Sequence, residues 1–191
     1  MKLFQKTLLA VVAGSLVTVG AQAATNYGMT AQPYIGAKVG QYDLDAAKDA
    51  ATSYGIYGGA KFTPNFGVEA EYMTTSDEDF STTLVEKSEY SADVYGLYAT
   101  YDYTFPGSQM YAKGRLGVAK NEVKLDSKNV LGVNNGDYSD TGVAGGVGVG
   151  YNLAPNAAVE LAYDWYPKVK DVGNKGDLDA SGITLGANFK F

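Results

Sequence analysis

The sequence predicts an all-β chain, an eight-stranded antiparallel up-and-down transmembrane β-barrel preceded by a cleavable signal peptide. Three observations carry that prediction. Apolar and polar residues alternate with period two over segments of about ten residues, the length of a tilted strand crossing a bilayer. The connections alternate between tight proline turns and long polar stretches. The composition is rich in Gly (24) and Tyr (16) with only 19% charged residues, which suits a sheet with much of its surface in an apolar solvent.

The first element is a leader. Lys2 and Lys6 give a positive start, an apolar run follows from Leu8 to Val19, and Ala21-Gln22-Ala23 supplies a small-x-small cleavage site. That is the layout of a secretory signal peptide, residues 1–23, and the run is too short to span a bilayer as a helix. The mature chain is expected to begin at Ala24, with residues 24–31 as a short segment ahead of the barrel. The chain has no Cys, so neither a lipid on an N-terminal cysteine nor a disulfide is available. Setting aside the two leader lysines takes the net charge from −6 to −8. An acidic chain of this kind has no electrostatic footprint for nucleic acid.

The barrel is expected over residues 32–191. Five strands follow period two approximately, at Gln32–Gln41, Ser53–Phe62, Phe66–Met73, Asp93–Tyr103 and Met110–Lys120. From Thr141 to Asn152 one face carries Val143, Val147, Val149 and Tyr151, and the other is nearly all glycine. The next segment sets Val159, Leu161, Tyr163 and Trp165 against Ala158, Glu160, Ala162 and Asp164. The last, Ser181 to Phe191, sets Ile183, Leu185, Ala187, Phe189 and Phe191 against Gly182, Thr184, Gly186, Asn188 and Lys190. An even number of strands lets the sheet close with both chain ends on one side. Closure matters because hydrocarbon cannot satisfy an open sheet edge.

The short connections are Thr63-Pro64-Asn65, Phe105-Pro106-Gly107-Ser108 and Ala154-Pro155-Asn156. In each, proline presets φ for a turn and Asn or Gly follows. The long ones, Tyr42–Thr52, Thr74–Ala92, Asn121–Asp140 and Pro167–Asp179, are polar and read as loops. Tight turns on one side and long loops on the other are the outer-membrane arrangement. The turns and both termini are therefore expected to face the periplasm.

Charge placement separates inside from outside. With the apolar parity of each strand assigned to lipid, the inward set is Lys38, Lys61, Glu69, Glu71, Asp102, Lys113, Arg115, Glu160, Asp164 and Lys190. Only Asp93 and Lys120 fall on the outward parity, both at loop ends of their strands. A Lys or Arg facing lipid at the midplane costs roughly 2–4 kcal/mol, so that face could not carry such a set. Inside a barrel too narrow to hold more than its own side chains, balanced acids and bases can pair into a plug. Asp102 and Lys113 should be near neighbours across the Pro106 turn. Tyr54, Tyr72, Tyr95, Tyr101, Tyr103, Tyr151, Tyr163 and Trp165 fall outward, where an aromatic ring with a polar tip suits the headgroup level. Tyr54 fits a loop equally well.

With the motif Pro33-Tyr34-Ile35-Gly36-Ala37-Lys38-Val39-Gly40, the four hairpins and the alternating end at Phe191, the chain resembles a known family. It is the outer-membrane β-barrel family of the OmpA transmembrane domain and the OmpX/Ail adhesins. The resemblance spans essentially all of the mature chain. It implies that Phe191, Phe189 and Leu185, with Ala187 and Ile183, form the signal read by the barrel assembly machinery. It also implies passage with periplasmic chaperones, and outer-membrane lipid and lipopolysaccharide as surroundings. No periplasmic domain follows the barrel, so a cell-wall tether is not expected.

Catalytic chemistry finds little footing. Enzymes among small outer-membrane barrels would require a His beside a Ser or Asp, and the chain has no His. Glu69 and Glu71 share one face, but inner-wall ion pairing is the better reading. Gly146-Val147-Gly148-Val149-Gly150 lies inside a strand with no helix after it, so a dinucleotide loop fails its context test. Its glycines are expected to make room for bulky neighbours such as Arg115, Tyr57 or Tyr98. Acids cluster at Asp43, Asp45 and Asp49 and at Asp77, Glu78 and Asp79. Carboxylates suit Ca²⁺ or Mg²⁺, yet neither cluster has EF-hand spacing, and solvated loop acids are the expectation. No cofactor, metal or catalytic residue is assigned.

The expected role is structural or adhesion-type, with the long loops contacting lipopolysaccharide, other cells or a host ligand. The alternative is a small, low-conductance porin-like channel. A soluble lipocalin-like carrier would instead put its apolar parity inside.

Overall fold

A computed structural model of the chain describes residues 31–44, 50–76, 78–83, 86–129, 136–169 and 178–191. The expected signal peptide (1–23), residues 24–30 of the N-terminal segment, and Asp45, Asp49 and Asp77 lie outside the described residues, as do the side chains of Glu78 and Asp79. The strands are β1 (Gln32–Leu44), β2 (Ala51–Lys61), β3 (Phe66–Thr75), β4 (Glu78–Thr83), β5 (Glu86–Thr104), β6 (Met110–Asn129), β7 (Gly136–Ala154), β8 (Ala157–Val169) and β9 (Leu178–Lys190).

Every neighbouring pair is antiparallel. β1 pairs with both β2 and β9, so the first and last strands meet. The pairing of β3 with β5 completes the ring. Eight strands form that ring, and β4 stands outside it. β3 pairs with β5 only as far as Thr74 opposite Asp93, and β4 takes over from Glu78 opposite Tyr90. The ring therefore has no open edge through its barrel section.

The long connections are shorter than the sequence suggests. β1 continues to Leu44 and β2 starts at Ala51, while β6 runs to Asn129 and β7 starts at Gly136. β8 reaches Val169 and β9 starts at Leu178. Within the expected loop Thr74–Ala92, β4 and the start of β5 form a hairpin. The reason is that polarity marks where water begins, whereas an antiparallel ladder continues while both backbones hold register. The extension is uneven. β7 pairs with β6 from Gly136 onward, but its pairing with β8 begins only at Gly145 opposite Trp165.

The tight turns sit as expected. Thr63 Oγ1 accepts from the backbone N–H groups of Asn65 (3.3 Å) and Phe66 (2.8 Å). Asn65 Nδ2 donates to the Asp102 carbonyl at 2.7 Å, tying the first turn to β5. Gly107 adopts φ 70°, the left-handed position that the Pro106 turn requires.

Side chains alternate across the wall. Ile35, Val39, Ile56, Leu97, Leu116, Val118, Val147, Leu161, Ile183 and Leu185 point outward, each 48–60% exposed. Tyr54, Tyr101, Tyr103, Tyr151, Tyr163 and Trp165 share that outer face, so Tyr54 belongs to the wall and not to a loop.

Candidate functional site

Among the described residues, the barrel interior holds the largest convergence of charged side chains. Period two in each strand carries all ten of the inward charges to the inner wall. Lys38, Glu69, Glu71, Lys113, Arg115 and Asp164 are buried. Lys61, Asp102, Glu160 and Lys190 lie half-buried near the tight turns.

The buried set forms one connected network. Arg115 Nε donates to Asp164 Oδ1 at 2.7 Å, and Nη2 makes an ionic contact with Oδ2 at the same distance. Arg115 Nη1 also reaches Glu69 at 2.9 Å and makes a short bond to Glu71. Lys38 bridges Glu71 at 2.8 Å and Asp164 at 3.5 Å. Lys113 bridges Glu69 at 2.6 Å and Glu160 at 3.3 Å. The Arg115 guanidinium carbon lies 4.4 Å from the Tyr98 ring centroid, and Tyr34 donates to Glu69 at 2.9 Å. Pairing offsets the several kcal/mol that an isolated ion would cost in such a place. The Glu69 and Glu71 carboxylates are engaged by bases, which leaves the pair unsuited to acid–base work.

Asp102 and Lys113 are in register across the Pro106 turn, but their side chains pair elsewhere. Asp102 meets Lys61 at 2.6 Å, and Lys113 turns to Glu69 and Glu160. Backbone adjacency fixed neighbours along the wall, while long side chains found partners across the lumen.

The β7 glycines make room for bulky inner-wall neighbours as expected, Arg115 among them, but Tyr57 and Tyr98 are not the other ones. Gly146 lies in register between Arg115 on β6 and Asp164 on β8. A Cβ there would come within 1.9 Å of Asp164 Oδ1, so the bare backbone lets the two ions meet over it. Gly150 lies likewise between Tyr111 and Glu160. Tyr111 donates to Glu160 at 3.1 Å, and a Cβ on Gly150 would strike its ring at 2.1 Å. Tyr57 instead fills the space over Gly36, and Tyr98 the space over Gly96.

Toward the loop end the lumen is apolar, and residues from stretches expected to be polar loops help to fill it. Tyr42, Leu44, Met73, Val94, Val123, Tyr166 and Leu178 are buried inside the ring. The Tyr42 and Tyr166 rings stack at 5.8 Å, and Tyr166 Oη donates to Met73 Sδ at 3.6 Å. These residues continue the inward parity of their strands past the bilayer-length segments. With water beyond and no lipid alongside, the apolar side of the ladder turns inward to make a core.

Toward the turn end the lumen opens into a cavity of about 710 Å³ lined by Tyr34, Lys61, Asp102, Tyr111, Lys113, Asn152, Glu160, Asn188 and Lys190, among others. Outside the barrel, Asp93 and Lys120 occupy the outer face. Asp93 accepts from Lys124 at 2.5 Å and Tyr72 at 3.1 Å, and Lys120 pairs with Glu122 at 2.5 Å. Among the described residues, no group of three or more His, Cys, Asp or Glu is arranged to hold a metal ion.

Charge counting passed over the neutral polar members of the lumen. Tyr34, Tyr111 and Asn121 face inward, beside Tyr57, Tyr98 and Asn188, which the alternation and the glycines had already placed there. Their signal was shared parity with the charged residues. Tyr34 stands four residues before Lys38, and Asn188 two before Lys190.

Comparisons with known proteins agree with this architecture. A family model described as the outer membrane protein β-barrel domain matches residues 9–191. The fold is similar to that of Neisserial surface protein A, with 16% identity, 84% of this chain and 97% of that chain covered, and a TM-score of 0.61. It is similar to Ail, the attachment invasion locus protein of Yersinia pestis, at 18% identity, 84% and 97% coverage and a TM-score of 0.58. It is also similar to OprG of Pseudomonas aeruginosa, at 18% identity, 84% and 95% coverage and a TM-score of 0.54. No curated protein sequence matches.

Proposed function

We propose, on the premise that the chain belongs to the outer membrane protein β-barrel domain family, that it acts as a closed barrel through the surface it presents on its loop side. The role is structural or adhesion-type, in the bacterial outer membrane, with the termini and tight turns toward the periplasm. One observation carries this reading: the lumen is filled at two successive levels, first by the ion network and then by the apolar layer from Tyr42 to Leu178. A barrel filled in this way does its work at its ends, and on the loop side β4 and the long arms of β5, β6 and β7 add a sheet surface for contact. The reading needs no catalytic group.

The end of β9 fits an assembly role. Phe191, Phe189 and Leu185 are all exposed on the lipid-facing side, and the two phenyl rings meet edge-on at 5.4 Å. Such a stripe is accessible to an insertion machinery before lipid covers it.

The test combines two measurements on one protein. Planar-bilayer recordings of the folded chain should show no stable openings. Cells displaying it should adhere to a binding surface, and should lose adherence when Glu78–Thr83 is replaced by a Gly-Ser linker. Stable openings in the unaltered protein would overturn the reading in favour of a porin-like conduit.

A further inference from the structure

The turn-end cavity has a pattern of charges and hydrogen bonds that neither lumen filling nor lipid contact uses. We propose that it is a binding site for a small organic carboxylate. Its volume of about 710 Å³ falls within the roughly 300–1,000 Å³ of small-molecule sites. The ion network closes its inner end, so it is a receptacle and not a passage.

Charge sets the class of ligand. Three ammonium groups line the wall, those of Lys61, Lys113 and Lys190, against the two carboxylates of Asp102 and Glu160. Lys61 is matched by Asp102 at 2.6 Å. Lys113 is matched by Glu69 and Glu160. Lys190 has no carboxylate partner among the described residues, and its ammonium donates only to Asn152 Oδ1 at 2.9 Å. A half-buried cation left with a neutral partner favours an anion, through a charge-assisted hydrogen bond.

Donors on the same wall are already engaged. Asn188, 8% exposed, gives its amide N–H to Tyr57 Oη at 3.4 Å. The hydroxyls of Tyr34 and Tyr111 are already bound to Glu69 and Glu160.

The full chain folded into phosphocholine micelles provides the test. Sodium malate is titrated at constant ionic strength, with choline chloride as control, while the side-chain NMR signals of Asn188 and Lys190 are followed. Malate is expected to shift both signals saturably and choline to leave them unmoved. Lys190→Gln, which removes a cation bonded only to an amide, should keep the heat-modifiable fold and weaken malate binding about tenfold or more, the scale of one lost charge-assisted bond. Absence of saturable shifts, equal shifts with choline, or unchanged binding by folded Lys190→Gln would each overturn the proposal.

Discussion

Arg115 and Asp164 meet across an intervening strand through one hydrogen bond, Nε to Oδ1 at 2.7 Å, and an ionic contact of 2.7 Å between Nη2 and Oδ2, with Gly146 beneath them. The pair joins β6 to β8 without help from backbone hydrogen bonding, and through Glu69 and Glu71 it reaches β3.

Replacing Arg115 by Met should therefore be among the most damaging single changes. It leaves Glu69, Glu71 and Asp164 short of a cation, and breaking a buried pair costs about 3–5 kcal/mol. Urea unfolding of the bilayer-folded barrel measures this. A loss below about 1 kcal/mol, the worth of an exposed pair, would mean the network is hydrated and slack.

Gly146→Ala tests the bare-backbone contact. The new methyl would sit 1.9 Å from Asp164 Oδ1, and relief requires the carboxylate to leave its place against Arg115 Nε. The expected loss is about 1–3 kcal/mol, as for overpacking elsewhere. Gly114→Ala, on the outer face with nothing within 4 Å, should be close to neutral. Equal unfolding midpoints for the two variants would refute the contact.

The outer wall makes a separate prediction. Leu116 is 60% exposed on the lipid-facing side. Leu116→Arg should cost roughly 2–4 kcal/mol in a bilayer if it lies near the midplane. Lys120→Leu, two repeats of the alternation nearer the loops, should change stability little. A reversed order would put the membrane boundary in the wrong place.

Two fillings in series predict a conductance pattern. Leu44→Ala should lower stability by about 2–5 kcal/mol, the range for a buried leucine, without opening a path, because the ion network still closes the lumen. Arg115→Ala alone should likewise be held shut by the apolar layer. Only their combination is expected to leak in planar bilayers. Openings from either single variant would show that the layers do not act in series.

The ring of strands and its inner charges were legible because lipid enforces a strict two-residue alternation, and a misplaced Lys or Asp is costly. Along Thr141–Asn152, Ala158–Trp165 and Ser181–Phe191 the two faces could be read directly. Legibility faded where lipid ended. At Tyr42, Leu44, Val94 and Val123 apolar residues turn inward, since water, not hydrocarbon, lies outside, and the same alternation then carries the opposite meaning. Partner choice was hidden for another reason. Asp102 and Lys113 adjoin along the wall, yet a lysine reaching across a narrow lumen selects its carboxylate by the stagger of strands, a property of the closed ring and not of any one segment.

The late start of pairing between β7 and β8 leaves the rim stepped. Among the described residues, one flank rises on β5, β6 and β7, and on the other β8 and β9 pair only as far as Val169 opposite Leu178. Turning the molecule about its long axis thus changes what a neighbour meets, so the protein has a tall front and a low back. Lateral encounters within the membrane plane are directional, and a partner arriving from above gains its widest approach over the low side.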